Sequence, residues 1–272
     1  MRFLIAILWL AGAGGGIAAA EDVPLPRPRP PAPPVWAEPH SFREAAGPDF
    51  NSAAVSDKPT DCDLRLAKVA AVAPMPRLIG PGACGGSDMI RVDAVLLADN
   101  KRVEIKPAPY LQCAMAEQLV SWVRDDAAPR LQAQGAVLRA VDTYDDFECR
   151  GRNRVNGAKL SEHGKGDAVD VRGLTLADGH FIALTDMAVA KDLREALRET
   201  ACQRFTTVLG PGSDGYHEAH IHLDLIQRRN GYRICEWDVR VPPPKPELVS
   251  APVPLPVPRP AVPGASESGR KL

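Results

Sequence analysis

The chain has 272 residues, 45% of them hydrophobic, and its basic and acidic side chains nearly cancel to a net charge of −1. With both signs mixed along the chain, it shows neither the basic footprint of a nucleic-acid binder nor a polybasic membrane patch. Six cysteines, an even number with no C-x-x-C pair, point to disulfides in an oxidising compartment and away from a zinc knuckle or a thioredoxin-like motif.

Residues 1–20 begin with Arg2, continue as an apolar run and end in Ala18-Ala19-Ala20 before Glu21, the layout of a cleavable signal peptide. The run is short for a bilayer span and is interrupted by glycines, and no later stretch could cross a membrane. A periplasmic or secreted protein without a membrane span is therefore expected. Residues 21–60 open with P-L-P-R-P-R-P-P-A-P-P and stay polar, and residues 241–272 mirror them with V-P-P-P-K-P and P-V-P-L-P-V-P-R-P. Both read as solvated proline-rich linkers. One folded domain is left, over residues 61–240.

Within it, residues 90–105 read as a hairpin turning at Asp99-Asn100. Leu111, Met115, Leu119, Trp122 and Val123 recur at helical spacing and predict a helix over residues 108–134, with Pro109 in its first turn and Gly135 at its end. Strands are expected at 137–143, 168–171 and 206–209, with a long polar loop at 144–159 and a turn at Asp178-Gly179. Thr185 is the expected N-cap of a second helix ending near Cys202. The sum is an α+β domain, a central and mainly antiparallel sheet flanked by helices. Pairing the cysteines in chain order gives Cys62–Cys84, Cys113–Cys149 and Cys202–Cys235.

Chemistry concentrates in two stretches. Residues 216–225, Y-H-E-A-H-I-H-L-D-L, alternate polar and apolar from Ala219 onward, so His220, His222 and Asp224 share one strand face and Ile221, Leu223 and Leu225 the other. Alternate imidazoles on a strand lie about 6–7 Å apart at Cβ, close enough to serve one ion together. Residues 161–171, S-E-H-G-K-G-D-A-V-D-V, place His163 in a glycine-flanked loop and Asp170 on the strand that follows. His163, Asp170 and His222 make a set of three ligands with a fourth position open, the plan of a catalytic zinc site. Asp224, Ser161 and Glu162 are the candidates to fix a ring tautomer.

The S-x-H-x-x-G-x-A-x-D block followed by a distal H-x-H resembles zinc peptidases of the D-alanyl-D-alanine carboxypeptidase and lysostaphin type. With C-R-x-R-N and V-L-G-P-G added, the segment from Cys62 to Cys235 resembles the bacterial extensin-like C-terminal domain family. The resemblance implies that His163, Asp170 and His222 bind Zn2+ and that His220 is the catalytic member of the His-x-His pair. It also implies that Arg150 holds a substrate carboxylate, with Arg152 and Arg154 as competitors. Strand parity sets His217 off the face of His220 and His222, as a rim residue near the substrate, and Ser161 is a further candidate for substrate contact. Carboxypeptidases that use a glutamate base carry it three residues before the last histidine, where this chain has Ala219. Glu218, one residue earlier, shares the parity of His220 and stands as the second candidate base. The activity implied is hydrolysis of a peptide or amide bond in peptidoglycan peptides by a monomer. The alternative is a non-catalytic wall-binding protein that keeps the fold.

Overall fold

The computed structural model describes residues 51–52 and 58–243. The expected signal peptide and most of both proline-rich linkers lie outside the described residues.

Ten strands among the described residues form one sheet, and the order along its main path is β13-β11-β12-β9-β8-β6-β5-β2. These are β2 (Ala70–Pro74), β5 (Met89–Leu96), β6 (Arg102–Lys106), β8 (Leu138–Thr143), β9 (Ala168–Leu176), β11 (Thr207–Leu209), β12 (Ile221–Asp224) and β13 (Ile234–Glu236). β7 (Tyr110–Gln112) adds to β5 and β10 (Phe181–Ala183) to β9. All pairings are antiparallel except β6 with β8 and β11 with β13. A smaller sheet joins β1 (Asn51–Ser52), β3 (Leu78–Ile79) and β4 (Gly85–Gly86). The α+β class and the mainly antiparallel sheet are as expected, and β5 and β6 form the expected hairpin.

The first long helix differs from expectation at its start. Residues 110–112 pair with β5 as β7, and the helix begins only at Cys113. It runs as α2 (Cys113–Ser121), a π-helical stretch (Trp122–Ala127) and α3 (Ala128–Ala133), following the short α1 (Asp61–Leu66). The widening precedes Pro129, which has no N–H to give the carbonyl four residues back, and the N–H of Ala128 reaches Val123 instead. The second helix, α4 (Lys191–Arg204), starts after Ala190 rather than at Thr185. Residues 185–190 are held in turns, where Asp186 accepts from the Ala188 N–H at 2.8 Å.

The helices pack on one face of the sheet. Leu119, Trp122 and Val123 meet Leu197 and Ala201 of α4 and the inward residues Val169, Val171, Ile221 and Leu223, all buried in one core. Each leucine, isoleucine and valine among them contributes about 1.5–3 kcal/mol by leaving water. The indole N–H of Trp122 donates to Thr200 Oγ1 at 3.2 Å, so the ring carries its polar atom into the core without penalty.

All six cysteines are bonded, as Cys62–Cys113, Cys84–Cys149 and Cys202–Cys235. Only the last follows the expected order. The Cys62–Cys84 and Cys113–Cys149 pairings are corrected, because α1 lies against the start of α2 while Cys84 faces the loop after β8. The Cys84–Cys149 bond thus fastens the loop that covers the other face of the sheet, where the polar residues collect.

Candidate metal centre

The centre sits on β9 and β12, neighbours in antiparallel register with Asp170 opposite His222 and Val171 opposite Ile221. Alternation sends Val169, Val171, Ile221 and Leu223 into the core, so Asp170, His222 and Asp224 emerge on the other face. That face is covered: Asp170, His222 and Asp224 are 4%, 7% and 4% exposed.

The cover is the segment between β8 and β9. Beyond the end of β8, Tyr144 N–H donates to the Asp170 carbonyl at 2.8 Å, and Asp170 N–H donates to the Asp145 carbonyl at 2.8 Å. The chain then returns as a turn over residues 162–165 that carries His163. Gly166 closes this turn at φ +71°, a left-handed conformation that glycine adopts without strain, and turns the chain into β9. Backbone bonds from Ser161 N–H to Arg150 and from Glu148 N–H to His163 tie the returning arm to the outgoing one.

His163, Asp170 and His222 converge there. His163 Nε2 is 3.2 Å from His222 Nδ1, His163 Nε2 is 3.3 Å from Asp170 Oδ1, and His222 Nδ1 is 2.9 Å from the same oxygen. A tetrahedral zinc with bonds of about 2.0–2.1 Å separates its ligand atoms by about 3.3 Å. The three atoms are therefore spaced as the corners around such an ion. Each ring is also held from behind. His163 Nδ1 is 2.6 Å from the Asp146 carbonyl, and His222 Nε2 is 3.1 Å from Asp224 Oδ2. With those outer N–H groups donated, the lone pairs left on His163 Nε2 and His222 Nδ1 face the Asp170 carboxylate. The donor set fits a zinc ion.

The electrostatics agree. Burial opposes a proton on His222, but the hydrogen bonds and charges of Asp170 and Asp224 outweigh it and raise its pKa to about 10. Burial would likewise raise Asp170, yet the neighbouring His220 and His163 hold its carboxyl well below the usual range. The pocket thus stabilises positive charge between its carboxylates.

The other expected residues fall into two groups. His220 joins the centre, with Nε2 3.3 Å from Asp170 Oδ2 and its ring 5.3 Å from that of Tyr144. His217, expected at the rim, is 8% exposed and sets its ring edge-on to His220 and tilted to His222, with centroids 5.2 and 5.5 Å apart. Its Nδ1 is 2.7 Å from Asp214 Oδ1, and burial with the charge of His222 lowers its pKa.

Glu218 does not join. β12 begins at Ile221, so strand parity does not extend back to residue 218. Its carboxylate accepts from the Gly212 N–H at 2.9 Å and pairs with Arg240 at 3.2 Å. Arg150 is half-buried beside the centre, but its guanidinium is taken by Asp145 at 2.5 Å and Glu148 at 2.9 Å. Arg154 shares the same two carboxylates, and Asn153 donates to Asp214 at 3.3 Å. Ser161 heads the His163 turn, and Glu162 is paired with Lys165 at 3.0 Å, so neither fixes a ring. Asp224 does so, together with the Asp146 carbonyl, which a side-chain motif cannot reveal.

Three further neighbours escaped sequence reading: Tyr144, Asp214 and Arg172. For Arg172 a signal existed, because A-V-D-V-R places Ala168, Asp170 and Arg172 on one face if the strand continues.

An α+β domain with a buried His–Asp–His cluster on its sheet is thus the class that fold and site define. The family described as Extensin-like protein C-terminus matches residues 60–236, and the chain belongs to that family. No curated protein and no solved structure matches the chain.

Proposed function

We propose that the protein is an exported zinc-dependent peptidase that hydrolyses a peptide or amide bond in peptidoglycan or related cell-envelope peptides. The observation that carries this reading is the convergence of His163, Asp170 and His222 at zinc-ligand spacing, each imidazole already anchored at its outer nitrogen. Bound there, zinc would supply a Lewis acid that polarises a carbonyl and acidifies water. His220 takes up the proton and returns it to the leaving amine, with Asp170 Oδ2 3.3 Å from its Nε2 to stabilise the imidazolium. Three disulfides fit an oxidising compartment, and among the described residues no helix is long and apolar enough to cross a membrane. Residence in the periplasm or outside the cell, as a monomer, completes the proposal.

A second reading, a non-catalytic wall-binding protein that retains the fold, draws on one observation: Glu218 is committed to Gly212 and Arg240, which leaves His220 as the proton acceptor. Elemental analysis of the mature chain beside His163→Ala and His222→Ala tests the metal. About one zinc per chain, absent from both variants, is expected. Incubation with muropeptides then separates the readings, because cleavage lost in His220→Ala supports the peptidase and binding without cleavage supports the wall-binding protein. No zinc after resupply would overturn the peptidase and leave the wall-binding protein in its place.

A further inference from the structure

The arm between β8 and β9 carries a flap, residues 151–160. Its base is closed by the bridge of Gly151 with Leu160 and by Arg152 N–H, which donates to the Lys159 carbonyl at 2.9 Å. Its tip, Val155-Asn156-Gly157, is exposed. The first turn of the flap is strained, because Asn153 and Arg154 stand in succession at φ +53° and +57°, in the left-handed region. Asparagine tolerates that region, but an arginine persists there only where its surroundings enforce it.

Contacts on two sides enforce it. Arg154 pairs with Glu148 and, at 3.2 Å, with Asp145, whose carbonyl takes the N–H of Asp170. Asn153 Nδ2 donates to Asp214 Oδ2 at 3.3 Å, and the other oxygen of Asp214 is 2.7 Å from Nδ1 of His217. Asp214 belongs to the loop between β11 and β12, residues 210–220, which also carries His220. The strained turn therefore bridges two walls of the centre, the arm behind Asp170 and the loop of His217 and His220. Those walls are closed on each other, since the side chains of His163, Asp170, His217, His220 and His222 are only 2–13% exposed. A solute that reaches these rings has to part the walls.

The two sides differ in strength. On the arm, a guanidinium meets two carboxylates, the stronger class of hydrogen bond. On the loop, a neutral amide reaches one carboxylate oxygen through an exposed hydrogen bond. When the turn relaxes, the loop side gives way, and the bridge at the base keeps the flap on the arm. We propose that residues 151–160 are a gate latched by the Asn153–Asp214 hydrogen bond, and that its release admits solutes to His217, His220 and the ligand cluster beside them. The gate rests on backbone geometry and side-chain contacts, and it needs neither the metal nor the peptidase reading.

The test is timed modification of the zinc-free mature protein with diethyl pyrocarbonate, read histidine by histidine by peptide mass spectrometry. His180, exposed in the turn before β10, supplies the reference rate in the same sample. Asn153→Ala removes the latch and keeps the left-handed strain, so His217 and His220 should react about tenfold faster relative to His180. In the double variant Asn153→Cys/Asp214→Cys the two rates should be raised while the thiols are free. They should fall back to the wild-type level or below once a short dithiol crosslinker joins them, which separates gate opening from unfolding of the variant. Equal rates in the wild type and Asn153→Ala, or a crosslinked pair that reacts as fast as the free one, would overturn the gate. The readout uses neither zinc nor hydrolysis, so a peptidase reading that fails on muropeptides leaves the gate standing, and equal modification rates leave the peptidase reading standing.

Discussion

His222 and Asp170 face each other across the β9–β12 pair, with Nδ1 of the ring 2.9 Å from Oδ1 of the carboxylate. Two metal-ligand candidates from opposite ends of a motif pair are thereby set by strand register alone. A one-residue slip of β12 would send His222 into the core and Ile221 into the centre. The site is as rigid as the sheet that carries it, and the side chains behind it can be probed one at a time.

Asp224 is the first of these. It orients His222 without touching the ion position, so Asp224→Asn should weaken zinc binding by about 10–100-fold while one zinc still binds at saturation. Competition with a chromogenic chelator measures this. Unchanged affinity would mean that His222 is oriented by Asp170 alone.

Asp146 gives the pH dependence. Burial is the main cause that raises its carboxyl to about 7, even though the Tyr110 N–H donates to it at 2.7 Å. Its folded pKa is above its unfolded value, so its contribution is fully present below about pH 4 and is lost as pH rises through about 7. Asp146→Asn keeps an acceptor for Tyr110 and removes the buried charge. In urea denaturation of the zinc-free protein, the variant should gain on the wild type between pH 5 and pH 8, by about 4 kcal/mol at most. Parallel pH profiles would contradict it.

The disulfides should separate stability from metal binding. Cys62–Cys113 and Cys84–Cys149 close loops of 51 and 65 residues, and each constrains the unfolded chain by about 4 kcal/mol in the chain-entropy account. Only the second holds the arm that carries Glu148 and Arg150 against His163. The double variant Cys84→Ala/Cys149→Ala should lose both stability and zinc affinity, whereas Cys62→Ala/Cys113→Ala should lose stability alone. Equal zinc affinity in the two would show that the arm needs no fastening.

Gly166 tests the turn. An added Cβ would meet Met89 at 2.8 Å and the Gln112 backbone nitrogen at 3.1 Å, at a φ of +71° that L side chains rarely adopt. Gly166→Ala should cost about 1–3 kcal/mol and weaken zinc binding, because His163 and Asp170 lie on either side of the strained residue. Thermal denaturation and chelator competition read the two effects. A variant as stable as the wild type would mean that the turn relaxes freely.

Period-two patterning made much of the centre legible. The alternation of His220, Ile221, His222, Leu223 and Asp224 set their faces, and the spacing from His163 to Asp170 marked a loop entering a strand. Where local pattern met a tertiary device, sequence reading stopped short. The strand from Ala168 reads as ending at Val171 because the bulge at Arg172 breaks the alternation that resumes at Leu174. Glu218 read as a face-mate of His220 because nothing local announces that Arg240, distant in sequence, holds it outside the strand. Residues 110–112 read as helix because Leu111 fits the helical stripe, although its backbone is claimed by β5. Disulfide partners are chosen by packing, which chain order does not encode.

The Glu218–Arg240 pair has a mechanical consequence. Arg240 stands at the end of the described domain, its carbonyl gripped by the buried Arg194 at 2.7 Å, and its guanidinium reaches back to the loop that carries His217 and His220. Tension on the C-terminal segment is therefore divided at Arg240, between the grip of Arg194 on its carbonyl and the side-chain link to Glu218. A weight hung on this end of the chain, whether a fusion partner or an anchored surface, pulls on the helix that carries Arg194 and on the histidine loop together.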